Sequence, residues 1–236
     1  MGKNLHIDHL VYATPDLQAT VADMEKEFGV APSPGGAHLG LGTFNALLGL
    51  GGRTYLEIIG PDPAQPEPEG PRAFGIDDLD QARLVAWCAA PHRPLSEVVT
   101  AAQSVGFDPG VIRSMSRRRP DGVVLEWTLT SPGISLIHEF FDGDEALPND
   151  FALGGVLPFF IDWGRTVHPS ETIPVGGTLL TLDLFHPHPR TIDLVLSAVS
   201  DQATLGDDES KISLNYADRA GLAAEILTAN GTVVLS

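Results

Sequence analysis

At 236 residues the chain is long enough to bury a substantial core, and with 43% hydrophobic and 19% charged residues it is too apolar to be disordered. Its 14 Lys and Arg stand against 31 Asp and Glu, a net charge of -17. That balance excludes the basic footprint nucleic acid requires and disfavours an anionic membrane surface. A single cysteine, Cys88, excludes an internal disulfide and a thiolate metal cluster. The first residues lack the apolar stretch of a signal peptide, and no run of about 18 apolar residues exists to span a bilayer, so a cytoplasmic location is expected.

Residues 5–13 read as a strand and run into Thr14-Pro15-Asp16, whose Pro and Asp suit the start of a helix. Leu17, Val21, Met24 and Phe28 then share a helical face, and Gly29 stands where a left-handed C-terminal cap belongs. Strand-like stretches follow at His38, at 44–50 and at 54–59, between Gly-rich turns. Prolines at 61, 63, 66, 68 and 71 make the next segment an extended, stiff connector.

The same grammar then repeats. A strand at 83–90 and a Pro turn lead to a helical face of Leu95, Val98, Val99, Ala102 and Val105, which stops at Gly106. Strands follow at 111–116, 123–130 and 157–163, the first two joined by Pro120-Asp121-Gly122, a hairpin signal. Between them, 134–141 suits an extra strand or an insertion, and 142–150 a loop. Beyond a second Pro- and Gly-punctuated connector at 169–177 come a strand at 178–185, a His-Pro turn and a helix carrying Ile192, Val195, Leu196 and Val199. Strands at 211–216, 222–228 and 232–235 complete it, the last two around Asn230-Gly231. The expected fold class is therefore α+β. Modules of βαβββ form at 5–61 and 83–163, paired within 5–165, and a third, shorter βαβββ-like unit at 178–236 packs on the same domain.

Particular strings carry a likeness. Ile7-Asp8-His9-Leu10-Val11-Tyr12-Ala13, the helix ending at Phe28-Gly29, His38-x-Gly40-x-Gly42-Thr43-x-Asn45 and Tyr55-Leu56-Glu57-Ile58-Ile59 together resemble the glyoxalase-like branch of the vicinal oxygen chelate (glyoxalase/bleomycin resistance/dioxygenase) superfamily. Asp121-Gly122 with Trp127, and the stretch 157–163, resemble its second module, so the likeness spans about residues 5–165. The third unit resembles the same module more loosely. The resemblance implies a cupped mixed β-sheet that holds a divalent metal (Zn, Ni, Mn or Fe) on ligands from the first and fourth strands of each module. It implies His9 and Glu57 as metal ligands and Glu57 as a catalytic base. At the matching places in the second module stand Val85 or Ala86, and Asp162 or Ile161, according to register. The implied function is a small-molecule enzyme of lyase, isomerase or dioxygenase class acting on an oxygen-rich metabolite. The alternative is a metal-free binding or sequestering protein of the bleomycin-resistance type. A homodimer is the expected assembly.

The residues also read on their own terms. His9 sits early in a strand, with Val11 on its face, where a histidine satisfied by backbone groups is the plain alternative. Glu57 lies among apolar neighbours, where a charge is costly unless paired or used; otherwise it faces solvent from an edge strand. His38 and Asn45 flank glycines that let backbone approach a ligand, which makes them candidate substrate-binding residues at a pocket mouth or simple turn residues. Gly40-x-Gly42 is no dinucleotide fingerprint, because a strand follows it. Arg117-Arg118-Arg119 would draw in an anion, or, the favoured reading, form a solvated hairpin tip. His186 and His188 coincide with turn positions, and Cys88 reads as a small buried apolar residue.

Overall fold

The computed structural model describes residues 5–118, 122–131, 154–201 and 211–236. The Pro120-Asp121 part of the expected hairpin turn and the stretch 134–150 lie outside them.

Strand β1 (Ile7–Ala13) leads to helix α1 (Leu17–Phe28) and then to β2 (Ser33–His38), β3 (Thr43–Gly49) and β4 (Tyr55–Pro61). The Asp16 carboxylate accepts the Ala19 N–H at 3.0 Å and so caps α1, a contact worth about 1 kcal/mol over Ala. At the other end Gly29 adopts φ 71°, the left-handed conformation expected of it, and its N–H returns to the Glu25 carbonyl. The second module repeats the order with β5 (Arg83–Ala89), α2 (Leu95–Ser104), β6 (Val111–Arg118), β7 (Val124–Ser131) and β8 (Phe159–Asp162). All eight strands form one mixed sheet, ordered β2-β3-β4-β1-β5-β8-β7-β6. Within each module the first strand pairs in parallel with the fourth, and the modules join where β1 and β5 run antiparallel. The fold class is thus the α+β cupped sheet anticipated from the sequence.

That central seam carries a symmetric irregularity. Ile7 faces Ala89 and His9 faces Cys88, so Asp8 is an extra residue on β1. Val11 faces Ala86 and Tyr12 faces Leu84, so Val85 is an extra residue on β5. Each module therefore bears one bulge at the same point of its first strand, and superposing the bulges aligns Asp8 with Val85 and His9 with Ala86. Across to the fourth strands, Glu57 pairs with Val11 and Phe159 with Cys88, which aligns Glu57 with Phe159.

The remaining strands, β9 (Gly177–His186), β10 (Ile212–Tyr216), β11 (Gly221–Thr228) and β12 (Gly231–Leu235), form a second sheet ordered β10-β9-β11-β12, with α3 (Pro189–Val199) between β9 and β10. The order of elements is βαβββ, but β9 pairs in parallel with β10, the second strand, rather than with the fourth. Strand order is what separates this unit from the two modules. Its Leu182, Leu184, Leu222 and Ile226 join Ile192 and Leu196 of α3, Phe28 of α1, Val98 of α2 and Leu10, Leu56 and Trp87 of the large sheet in one core. Each Leu or Phe so enclosed contributes about 1.5–3 kcal/mol. The opposite, concave face of the large sheet is left to form the cup.

Candidate functional site

The concave face encloses a cavity of about 310 Å³. The first module supplies most of its polar groups: His9, His38, Thr43, Asn45 and Glu57. The second supplies aromatic and aliphatic walls from Trp127, Leu129, Phe159, Ile161 and Trp163, together with Arg117. Phe74, on the connector between the modules, closes part of the mouth with a left-handed backbone (φ 62°). Arg72 beside it donates to the Gly42 carbonyl at 3.0 Å and tethers the connector to the β2–β3 turn.

The bulge determines the local chemistry. Regular alternation would turn Asp8 and His9 to opposite faces. With the extra residue in β1, both side chains meet: His9 Nδ1 donates to Asp8 Oδ1 at 2.6 Å, and both residues are buried. A carboxylate only accepts, so the Nδ1 position holds the proton and the lone pair of neutral His9 lies on Nε2. Nε2 stands 3.7 Å from Glu57 Oε2. Tyr55 stacks on the imidazole at 4.7 Å between ring centres, and Phe159 meets it edge-on at 5.4 Å.

Asp8 is held from its far side as well. Trp163 Nε1 and His168 Nε2 each donate to Oδ2 at 3.0 Å. Burial alone would raise this carboxyl, but the hydrogen bonds from His168 and His9 outweigh it and hold it well below the usual carboxylate range. Asp8 is therefore a permanent anion at neutral pH.

Glu57 accepts from Asn45 Nδ2 at 2.5 Å, and Asn45 Oδ1 accepts from Arg117 Nη1 at 2.8 Å. His38 Nε2 lies 3.9 Å from Glu57 Oε1, while its Nδ1 shares a 2.9 Å hydrogen bond with Thr43 Oγ1. Burial lowers the His38 pKa, against a pull upward from Glu57. The four residues expected in the site, His9, His38, Asn45 and Glu57, thus converge on one cavity. Arg117 departs from the solvated-tip reading: it is 6% exposed and reaches across the cup from β6 to β3. Gly35 on β2 makes that reach feasible, because a Cβ there would collide with Asn45 Oδ1 and lie 2.8 Å from Arg117 Nη1.

The four-ligand metal site implied by the resemblance does not fit these residues. His9 and Glu57 offer two ligands, but their counterparts in the second module are Ala86 and Phe159, which offer none. Ile161, not Asp162, lines the cavity; Asp162 is exposed and accepts from the Gly164 N–H. Asp8, His9 and Cys88 do bring ligand atoms within 4.8 Å of one another. However, Asp8 and His9 are engaged with each other, and burial with the Asp8 and Glu57 charges pushes the Cys88 thiol well above its usual pKa. A protonated thiol is a poor ligand.

Sequence reasoning missed Asp8, Arg117, Trp163 and His168. The first was hidden by the bulge and the second by its basic neighbours. His168 lies 160 residues from the carboxylate it serves, and no local pattern reports such a contact. His186 and His188 lie away from the cup, where the His188 N–H donates to His186 Nδ1 at 3.0 Å, as turn residues would.

The sequence model of a family described as "Glyoxalase-like domain" matches residues 7–199. Curated proteins give no match. Among solved structures, a hypothetical protein from Staphylococcus aureus is similar along 98% of this chain and 99% of its own, with a TM-score of 0.59 and 15% identity. A methylmalonyl-CoA epimerase from Streptomyces coelicolor, solved with 2-nitronate-propionyl-CoA, is similar over 70% of this chain and all of its own (100%), with a TM-score of 0.41 and 17% identity.

Proposed function

Because the chain belongs to the glyoxalase-like domain family, we propose that its cup is the active site of a small-molecule enzyme of lyase or isomerase type, which moves a proton without a metal. The observation that supports this reading most is His9 itself. Its Nδ1 is tied to a buried carboxylate, and its Nε2 faces the cavity beside Glu57. An imidazole so held is a general base, and Glu57 beside it takes or returns the second proton of an isomerisation or elimination. Positioned groups of this kind contribute about 10²–10⁴-fold to rate.

The cavity volume of about 310 Å³ lies at the lower end for ligand sites and suits a compact substrate. Its apolar body would lie against Phe159, Trp127 and Trp163, with an oxygen-bearing end toward Asn45, His38 and Arg117. In this reading 5–165 form the catalytic unit and 178–236 a unit packed on it, in a cytoplasmic homodimer whose mass light scattering would check.

The test is solvent-deuterium incorporation into a panel of small carbonyl and carboxylate compounds, followed by NMR in the presence of chelator. The expected result is exchange by the wild type and at least a 10²-fold loss in His9→Gln and Glu57→Gln. Exchange that stops with chelator and returns with a divalent ion would overturn the metal-independent proposal. A second reading, a sequestering cup, draws on the aromatic walls and the missing ligand positions. Compounds that raise the melting temperature without exchanging would favour it.

A further inference from the structure

The second module has no ligand at the positions that match His9 and Glu57, yet the segment at its end touches the site from behind. Trp163 directly follows β8, and His168 precedes a one-turn helix at Pro169–Glu171. We infer that Trp163 and His168 form a clamp that positions the His9 base through Asp8, so that the two modules jointly complete a site whose reacting groups lie mostly on one of them. The inference rests on the proton-transfer reading for its functional meaning, but its geometry stands separately.

The geometry is specific. His168 has a fully buried side chain, and its Nδ1 accepts from the Ser170 N–H at 3.2 Å and lies 2.7 Å from Ser170 Oγ. With Nδ1 occupied as an acceptor, the ring proton sits on Nε2 and is donated to Asp8 Oδ2. The Trp163 indole N–H, which can only donate, takes the same oxygen. Two donors on Oδ2 fix the rotation of the carboxylate and leave Oδ1 directed at His9 Nδ1. His168 also meets Tyr55 edge-on at 5.6 Å, and Tyr55 stacks on His9, so the same residue supports the imidazole plane. Nothing in this arrangement shuttles a proton outward, because both histidines donate toward Asp8. The clamp sets tautomer and orientation.

The experiment is a histidine-¹⁵N NMR measurement of the His9 tautomer in the full chain, wild type against His168→Leu and Trp163→Phe. The wild type should show His9 in the Nδ1–H form. Each variant should lose roughly tenfold of that tautomer preference, the order of one hydrogen bond to a charged group. His168→Gln, whose amide offers a donor again, should recover part of it. If His168→Leu fails to fold, Trp163→Phe, which removes the indole N–H and keeps an aromatic ring, decides alone. An unchanged His9 tautomer in the folded variants overturns the clamp. Deuterium exchange gives the second readout: in His168→Leu, whose side chain does not line the cup, a fall in kcat with KM held joins the clamp to catalysis. A tautomer shift without any exchange in the wild type would leave the clamp intact and reject the proton-transfer reading.

Discussion

Asp8 concentrates the consequences at the level of single residues. Its folded pKa lies below its unfolded value, so the stability it contributes is present above about pH 4 and is lost as the pH falls through the folded value. Urea melts of the wild type should therefore weaken steadily below about pH 4, whereas Asp8→Asn should start less stable and vary less over that range. An acid-limb slope that is the same in both proteins would show that the anion contributes nothing to folding. The residue also marks the limit of sequence reasoning. His9 and Glu57 stood out by the resemblance and His38 and Asn45 by the glycines beside them, and all four line the cavity. Asp8 was not legible, because strict alternation turns the neighbour of His9 to the opposite face, and only the pairing across the seam reveals the bulge.

At the level of elements, two glycines hold strands in otherwise inaccessible positions. Gly35 leaves room on β2 for the Arg117–Asn45 hydrogen bond, so Gly35→Ala must displace one of the two side chains. The expected outcome is a folded protein destabilised by about 1–3 kcal/mol, the cost of an unpaired buried polar group, with weaker ligand binding. Gly155 adopts φ 79°, and any Cβ there would strike the carbonyl of Val85, the bulge residue of β5. Gly155→Ala should be worse than Gly35→Ala in thermal melts, since backbone cannot step aside as a side chain can. Several elements were readable from their ends: the Asp16 cap and the Gly29 stop each follow from local backbone chemistry, whereas the last hairpin turns on Ala229-Asn230 rather than Asn230-Gly231, because Thr228 pairs with Gly231. The order of β9 to β12 was not, because an identical run of elements supports more than one strand order, and long-range packing chooses among them.

For the whole molecule, the aligned modules make a prediction about metals. Ala86→His with Phe159→Glu places an imidazole and a carboxylate at the counterparts of His9 and Glu57. The double variant should gain a divalent site, seen as a rise in melting temperature with Ni²⁺, Zn²⁺ or Mn²⁺ that the wild type does not share. Equal responses of the two proteins would mean that the modules are not aligned as the bulges indicate.

The paired bulges also bear on descent. If the two modules arose by duplication of one ancestral half, the kink in the first strand is older than either half's present chemistry. It persists at Val85, where no acid–base group remains to be aimed. The distortion is then an inherited shape, available before any use was made of it, and Asp8-His9 is one occupant of that shape. Writing Asp, His and Glu into positions 85, 86 and 159 would ask whether the silent half can still accept the chemistry it does not now perform.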